Sequence, residues 1–177
     1  MARITHRQFR VKPFYGAGAV LDVWENEPDI DIELLQSAEG LLQIQPTQIA
    51  LLANASAFLM SSLEQLNWVG FYLYDGQRLN VGPFQGNVAC ATIEMGKGVC
   101  GESATFLKTM VVDDVLNYDN HIACDSNSRS EVVIPILIKG QLFGVLDVDS
   151  PILNRFDLET VNFLVHFVKL LVKTIDI

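Results

Sequence analysis

Apolar positions first recur at helical spacing after Pro46-Thr47, where Ile49, Leu52, Leu59 and Leu63 share a stripe completed by the small Ser56. Thr47 is a suitable N-cap, so a helix is predicted to open there. The pattern then turns aromatic and β-rich over Trp68 to Tyr74. Asp75-Gly76 is a hairpin signal leading into a strand near Arg78 to Val81. Cys90 to Met95 reads as a further strand. Gly96 to Gly101 is a glycine-rich turn into a short helix, about Glu102 to Leu107, and a brief strand follows at Met110 to Val112. Asn117 to Ser130 is polar and without period. Glu131 to Ile138 and Gln141 to Val148 are two strands joined by a tight Lys139-Gly140 turn. The clearest stripe comes last: Val161, Leu164, Val165, Val168, Leu171, Val172 and Ile175 share one helix face. Asn162, His166, Lys169 and Lys173 fall on the opposite face, and Asp157 is the expected N-cap. That apolar stripe is expected to be core rather than a homodimer seam. Hairpins imply antiparallel pairing, so the predicted class is α+β, helices packed on a central antiparallel sheet.

Composition narrows the functions. Twelve basic residues against twenty-one acidic give a net charge of −9, which repels a polyanion and argues against nucleic acid. Val132 to Ile138 is too short to span a bilayer, and polar residues interrupt the C-terminal stripe, so no membrane span is expected. Arg3, Arg7, Arg10 and Lys12 precede the first acid, Asp22, without the apolar run of a secretory signal. A cytoplasmic chain is expected. Its 177 residues suit one domain, placed at residues 45–177, with 1–44 as an atypical N-terminal extension.

Three cysteines are an odd number for a disulfide framework, which leaves buried thiols, metal ligands or redox groups. A Cys₃His zinc site built from Cys90, Cys100, Cys124 and His121 lacks the close cysteine pair that structural zinc sites usually contain, so no metal is expected. Cys90, opening a β-rich stretch, best fits a buried thiol. Cys124 fits it worst, because His121-Ile122-Ala123-Cys124-Asp125 lies in the polar loop, where a thiol is accessible. Gly96-Lys97-Gly98-Val99-Cys100-Gly101 matches G-x-G-x-x-G, but a dinucleotide site needs a parallel βαβ unit, which the hairpins deny. Asp147 and Asp149 share one face of an apolar strand, where close carboxyls either keep a proton or are balanced by a cation such as an amino group. Trp68 and Tyr72 also share a strand face. An aromatic wall, acidic anchors and a loop thiol suit a small zwitterionic ligand with a reducible group.

These residues resemble a known family. Asn67-Trp68-Val69-Gly70-Phe71-Tyr72, Gly82-Pro83-Phe84-Gln85-Gly86, Cys90, the turn at Gly96 to Gly101, His121 to Asp125 and Gly144 to Ser150 are similar to the free methionine-(R)-sulfoxide reductases, stand-alone GAF-domain enzymes. The likeness covers about residues 46–175. It implies Cys124 as nucleophile and Cys90 or Cys100 as the resolving thiol. It further implies Trp68 and Tyr72 around the methyl-sulfoxide end, with Glu131, Asp147 and Asp149 on the ammonium and the sulfoxide oxygen. No bound cofactor is implied; thioredoxin would be the external reductant. A GAF small-ligand sensor without catalysis is the alternative. The family opens with a helix ahead of the one at Thr47. Residues 16–36 depart from that pattern and resemble a short piece of a D-2-hydroxyacid dehydrogenase of the phosphoerythronate type, too short for a nicotinamide-binding domain.

Overall fold

Strand alternation sets the architecture. In β1 (Trp68–Tyr74), Val69 and Phe71 face one side of the sheet while Trp68 and Tyr72 face the other, and both sides are buried. The computed structural model describes residues 30–175. It contains α1 (Ile32–Gln43), α2 (Gln48–Ser62), β1, β2 (Arg78–Gly86), β3 (Thr92–Glu94), α3 (Gly98–Phe106), β4 (Met110–Val112), β5 (Ser130–Ile138), β6 (Gln141–Ser150) and α4 (Leu158–Ile175). The strands form one six-stranded antiparallel sheet in the order β3-β2-β1-β6-β5-β4. This is the α+β fold the sequence predicts. No helix among the described residues is long and apolar enough to cross a membrane.

One face of the sheet carries α1, α2 and α4 over Val69, Phe71, Val132, Ile134, Leu146 and Val148. The other face packs α3 over Trp68, Tyr72, Leu79, Val133 and Val145. The site residues belong to this second, thinner layer.

Local chemistry explains most element ends. Thr47 accepts the Ala50 N–H at 3.2 Å, and Asp157 accepts that of Thr160 at 2.9 Å, as their N-cap assignments require. Asp75 takes the Gln77 and Arg78 N–H groups, closing the first hairpin over Gly76. Lys139 and Gly140 both adopt positive φ, the conformation of a two-residue hairpin that matches strand twist. At Gly70 a side chain is excluded, because a Cβ would stand 2.6 Å from Cη2 of Trp68, whose indole lies across it.

Several expectations need correction. β2 continues through Pro83 to Gly86 rather than stopping near Val81. Along the β3 edge the last backbone bond is from the Val81 N–H to the Ala91 carbonyl, so Pro83 sits where that edge is open and its missing N–H costs no ladder bond. The strand expected over Cys90–Met95 is reduced to Thr92–Glu94, leaving Cys90 in the preceding loop. The helix expected from Glu102 begins four residues earlier, with Gly101 N–H bonding to the Lys97 carbonyl at 3.0 Å. Asn162 is fully buried, not on a solvated face. α4 packs against α1 as well as β5, so Phe163 and Phe167 are buried too and the contact is wider than one stripe. The core takes Val161, Leu164, Val165, Val168 and Leu171 of that stripe.

A helix also precedes Thr47. α1 is capped by Asp31, which accepts the Leu34 N–H at 2.8 Å, and it buries Ala38 and Leu42. It overlaps the last residues of the dehydrogenase-like stretch. The earlier part of that stretch and the basic N-terminus lie outside the described residues. Leu42→Ala is expected to cost about 2–5 kcal/mol, as for other buried leucines. Ile44→Ala, one turn-end away and 75% exposed, should change stability by no more than about 0.5 kcal/mol. Urea denaturation of the two variants checks whether α1 belongs to the cooperative unit.

Candidate functional site

Cross-strand register assembles the site. Trp68 of β1 lies opposite Asp149 of β6, and Asp149 lies opposite Glu131 of β5, so the three form a row across the sheet. Asp147 is two residues along β6, between Gly70 and Val133. Tyr72 is one β-repeat beyond Gly70 on the same face. The indole of Trp68 stacks between Tyr72 and Phe84, with ring centroids 5.7 Å and 5.1 Å away. Seven of the eight residues singled out from sequence, all but Cys90, thus line one pocket, floored by carboxyls and walled by aromatics.

The loops supply the thiols. Cys90 and Cys124 are joined by a disulfide with Cα atoms 5.1 Å apart, and Cys124 borders the same pocket. Cys90 is therefore a half-buried partner of Cys124 rather than a buried bystander. Its carbonyl accepts a hydrogen bond from the Tyr72 hydroxyl at 3.2 Å, tying the thiol loop to the aromatic wall. Cys100 is outside the disulfide and buried. Its Sγ lies 4.0 Å from Oε1 of Glu131. The Cys₃His set does not assemble, since two of its thiols are joined to each other and the third faces carboxyls. Among the described residues, the group with ligand-like spacing is Cys100, Glu131 and Asp147. His121 borders the pocket, and burial lowers its basicity.

Residues not singled out for the site hold the Cys124 loop in place. Asn67 donates to Asp125 at 3.1 Å and to Ser128 at 3.0 Å, clamping the loop to the start of β1. Asn120 donates to the Gly96 carbonyl and to Glu102, which also takes the Tyr118 hydroxyl. Asn67 and Asp125 sit in the motifs quoted above, but nothing in their spacing says that they meet. The G-x-G-x-x-G turn is this anchor point. Its flanking strands β3 and β4 are at opposite edges of an antiparallel sheet, so it is not part of a dinucleotide fold. A Cβ on Gly98, where φ is +63°, would press on Ile122 of the same loop at 3.3 Å.

Burial decides the protonation of the floor. It pushes Asp147 up to about 7, with hydrogen bonds from Cys100 and Glu131 pulling the other way. Glu131 and Asp149 are both held well above the usual carboxyl range, by burial first and then by the charge of Asp147. The Cys100 thiol and the Tyr72 phenol are pushed up too, again by burial first and then by Asp147. The cluster therefore retains protons at neutral pH.

The sign of the resulting pH dependence follows. The folded state holds carboxyl protons that the unfolded chain has released, so stability falls as pH rises. The Asp147 share sets in near 3.8 and is complete above about 7. Asp75 and Asp125, held low by hydrogen bonds from neighbouring N–H groups, act below that window. Thermal unfolding between these limits should show a falling midpoint, flattened in Asp147→Asn; a rising midpoint in the parent protein would contradict the buried, protonated cluster.

Residues 48–175 match the family model described as GAF domain. The free methionine-R-sulfoxide reductase of Escherichia coli is 41% identical over 131 residues, 74% of this chain and 79% of its own. That of Saccharomyces cerevisiae is 40% identical over 157 residues, 84% of this chain and 87% of its own. The X-ray structure of the free methionine-R-sulfoxide reductase from Neisseria meningitidis, in complex with its substrate, is 37% identical. It superposes with a TM-score of 0.77 over 91% of this chain and 93% of that one. On this likeness of sequence and fold, the chain belongs to the GAF-domain family, in the group of the free methionine-R-sulfoxide reductases.

Proposed function

We propose that this protein reduces free methionine (R)-sulfoxide to methionine, with Cys124 as nucleophile and Cys90 as resolving thiol. The observation that carries the reading is the pairing of Cys90 with Cys124 at the rim of a pocket floored by protonated carboxyls. In the reduced protein, the Cys124 thiolate attacks the sulfoxide sulfur. The sulfoxide oxygen gains a proton from a floor carboxyl kept neutral by its neighbours. Oxygen passes to Cys124, which becomes a sulfenic acid as the substrate takes up two electrons and leaves as the thioether. Cys90 then attacks the sulfenic sulfur, water departs, and the disulfide forms. An external dithiol, thioredoxin, restores both thiols by exchange. No bound cofactor enters the cycle, and a reducing compartment such as the cytoplasm suits it.

The floor also selects the substrate. The ammonium of a free amino acid supplies the counter-charge that lets one of Glu131, Asp147 and Asp149 ionise, while another keeps a proton for the oxygen. Trp68 and Tyr72 enclose the methyl end. Methionine within a peptide has no ammonium there, and the buried acids would be left without a partner.

The test is NADPH oxidation coupled through thioredoxin and its reductase. Turnover is expected with free methionine (R)-sulfoxide and not with the (S) epimer or a peptide-bound sulfoxide. Cys124→Ser should abolish it. Cys90→Ser should form one methionine per protein and then stop, because sulfenic acid forms but no disulfide follows. Folded protein that binds the sulfoxide without turnover would replace the reductase reading with that of a small-ligand sensor.

A further inference from the structure

Cys100 has no place in the redox cycle above, yet it is the most enclosed thiol of the chain. It belongs to the apolar cluster on this face of the sheet, yet it also stands against two acids. Its Sγ is 4.0 Å from Oε1 of Glu131. One donor atom each from Cys100, Glu131 and Asp147 lies within 4.8 Å of the others, and all three residues are buried. In tetrahedral zinc, bonds of ~2.3 Å to sulfur and ~2.1 Å to oxygen set those two ligands about 3.6 Å apart. Cys100 and Glu131 therefore need to close by only about 0.4 Å to share an ion. A second observation is independent of that spacing. Asp147 is 6% exposed, and its Oδ1 is buried with no hydrogen-bond partner.

The donor set also chooses the metal. Calcium and magnesium take all-oxygen ligands, whereas one thiolate beside two carboxylates suits zinc. Three protein ligands leave the fourth position open to the pocket, where water can complete the tetrahedron.

We propose that the reduced protein binds one zinc ion through Cys100, Glu131 and Asp147, and that this ion and the sulfoxide substrate exclude each other from the pocket. Cys100 binds as thiolate and Glu131 and Asp147 as carboxylates, and the protons that the three give up pass to solvent. The exclusion of substrate rests on the reductase reading; the binding of zinc does not.

The experiment uses the full chain carrying Cys90→Ser and Cys124→Ser together, which removes the other thiol pair that could chelate zinc. Titration against a chromophoric chelator should give one equivalent bound. Adding Cys100→Ser, or separately Asp147→Asn, should weaken binding by more than the ~10–100-fold that an outer-shell partner costs. Circular dichroism checks that each variant is folded. Cobalt in place of zinc should show a sulfur-to-metal charge-transfer band that Cys100→Ser abolishes and Asp147→Asn leaves. Free methionine (R)-sulfoxide should release the zinc. No saturable binding, or affinity unchanged by Cys100→Ser, overturns the zinc site. Zinc affinity unmoved by a sulfoxide that the parent protein turns over overturns the exclusion alone. Zinc binding with no turnover by the parent protein sinks the reductase reading and leaves the metal site standing.

Discussion

Everything in the active layer depends on carboxyls being held on one face of a sheet whose other face is hydrophobic core. Glu131, Asp147 and Asp149 alternate with Val132, Leu146 and Val148, which lie under the helices. A one-residue slip of β6 would drive Asp147 and Asp149 into that core, and one of β5 would drive Glu131 there, so the pairing register is set as strongly by what must stay out as by what must go in. The acids do not gain stability by sitting together. Burial raises them all, and they persist by keeping protons. The pocket is therefore built against a free-energy gradient that a ligand bringing positive charge can relieve. The fold contributes the opposing stabilisation through the three-helix layer on its far side.

The second requirement is to bring loop thiols to that floor. Cys90 and Cys124 are 34 residues apart, and the segment between them contains β3, α3 and β4. Hydrogen bonds fix both ends of this segment independently of the disulfide. Tyr72 holds the Cys90 carbonyl, and Asn67 holds Asp125 beside Cys124. One anchor lies in β1, the strand that also carries Trp68, and the other immediately before it. Thiols that must separate and rejoin in each cycle need such a scaffold, because the covalent link cannot be what positions them.

Much of this was legible in the sequence. The strands at Trp68–Tyr74 and Met110–Val112 and the hairpin at Lys139-Gly140 follow from periodicity and turn chemistry, as do the caps at Thr47 and Asp157. The shared faces of Trp68 with Tyr72 and of Asp147 with Asp149 follow from strand alternation alone. Glu131 was placed only by family resemblance, since nothing local says that β5 pairs with β6 so as to set it opposite Asp149. The joining of Cys90 to Cys124 was equally hidden, because two loops from different parts of the chain must meet. Cys90 was further disguised by its apolar, β-like surroundings. Helix α1 was obscured in another way: the dehydrogenase-like stretch at residues 16–36 runs into its first turn, although Leu34, Leu35, Ala38 and Leu42 have helical spacing and an aspartate cap.

The three thiols end in different electrostatic settings, and that difference argues for different work. Cys100 is buried in the pocket lining, and its thiol is raised first by burial and then by the charges of Asp147, Glu131 and Asp149. A thiol held protonated is a weak nucleophile, since only the thiolate attacks sulfur. It also stands against Glu131 rather than against either of the other cysteines. Cys124 is half-buried in a loop open to the pocket mouth, with Cys90 already within bonding reach. Environment thus separates a redox pair from a third sulfur that the acids keep in reserve. A metal ion is the kind of partner that can draw the proton from such a sulfur, because it supplies the positive charge that the protein around Cys100 withholds.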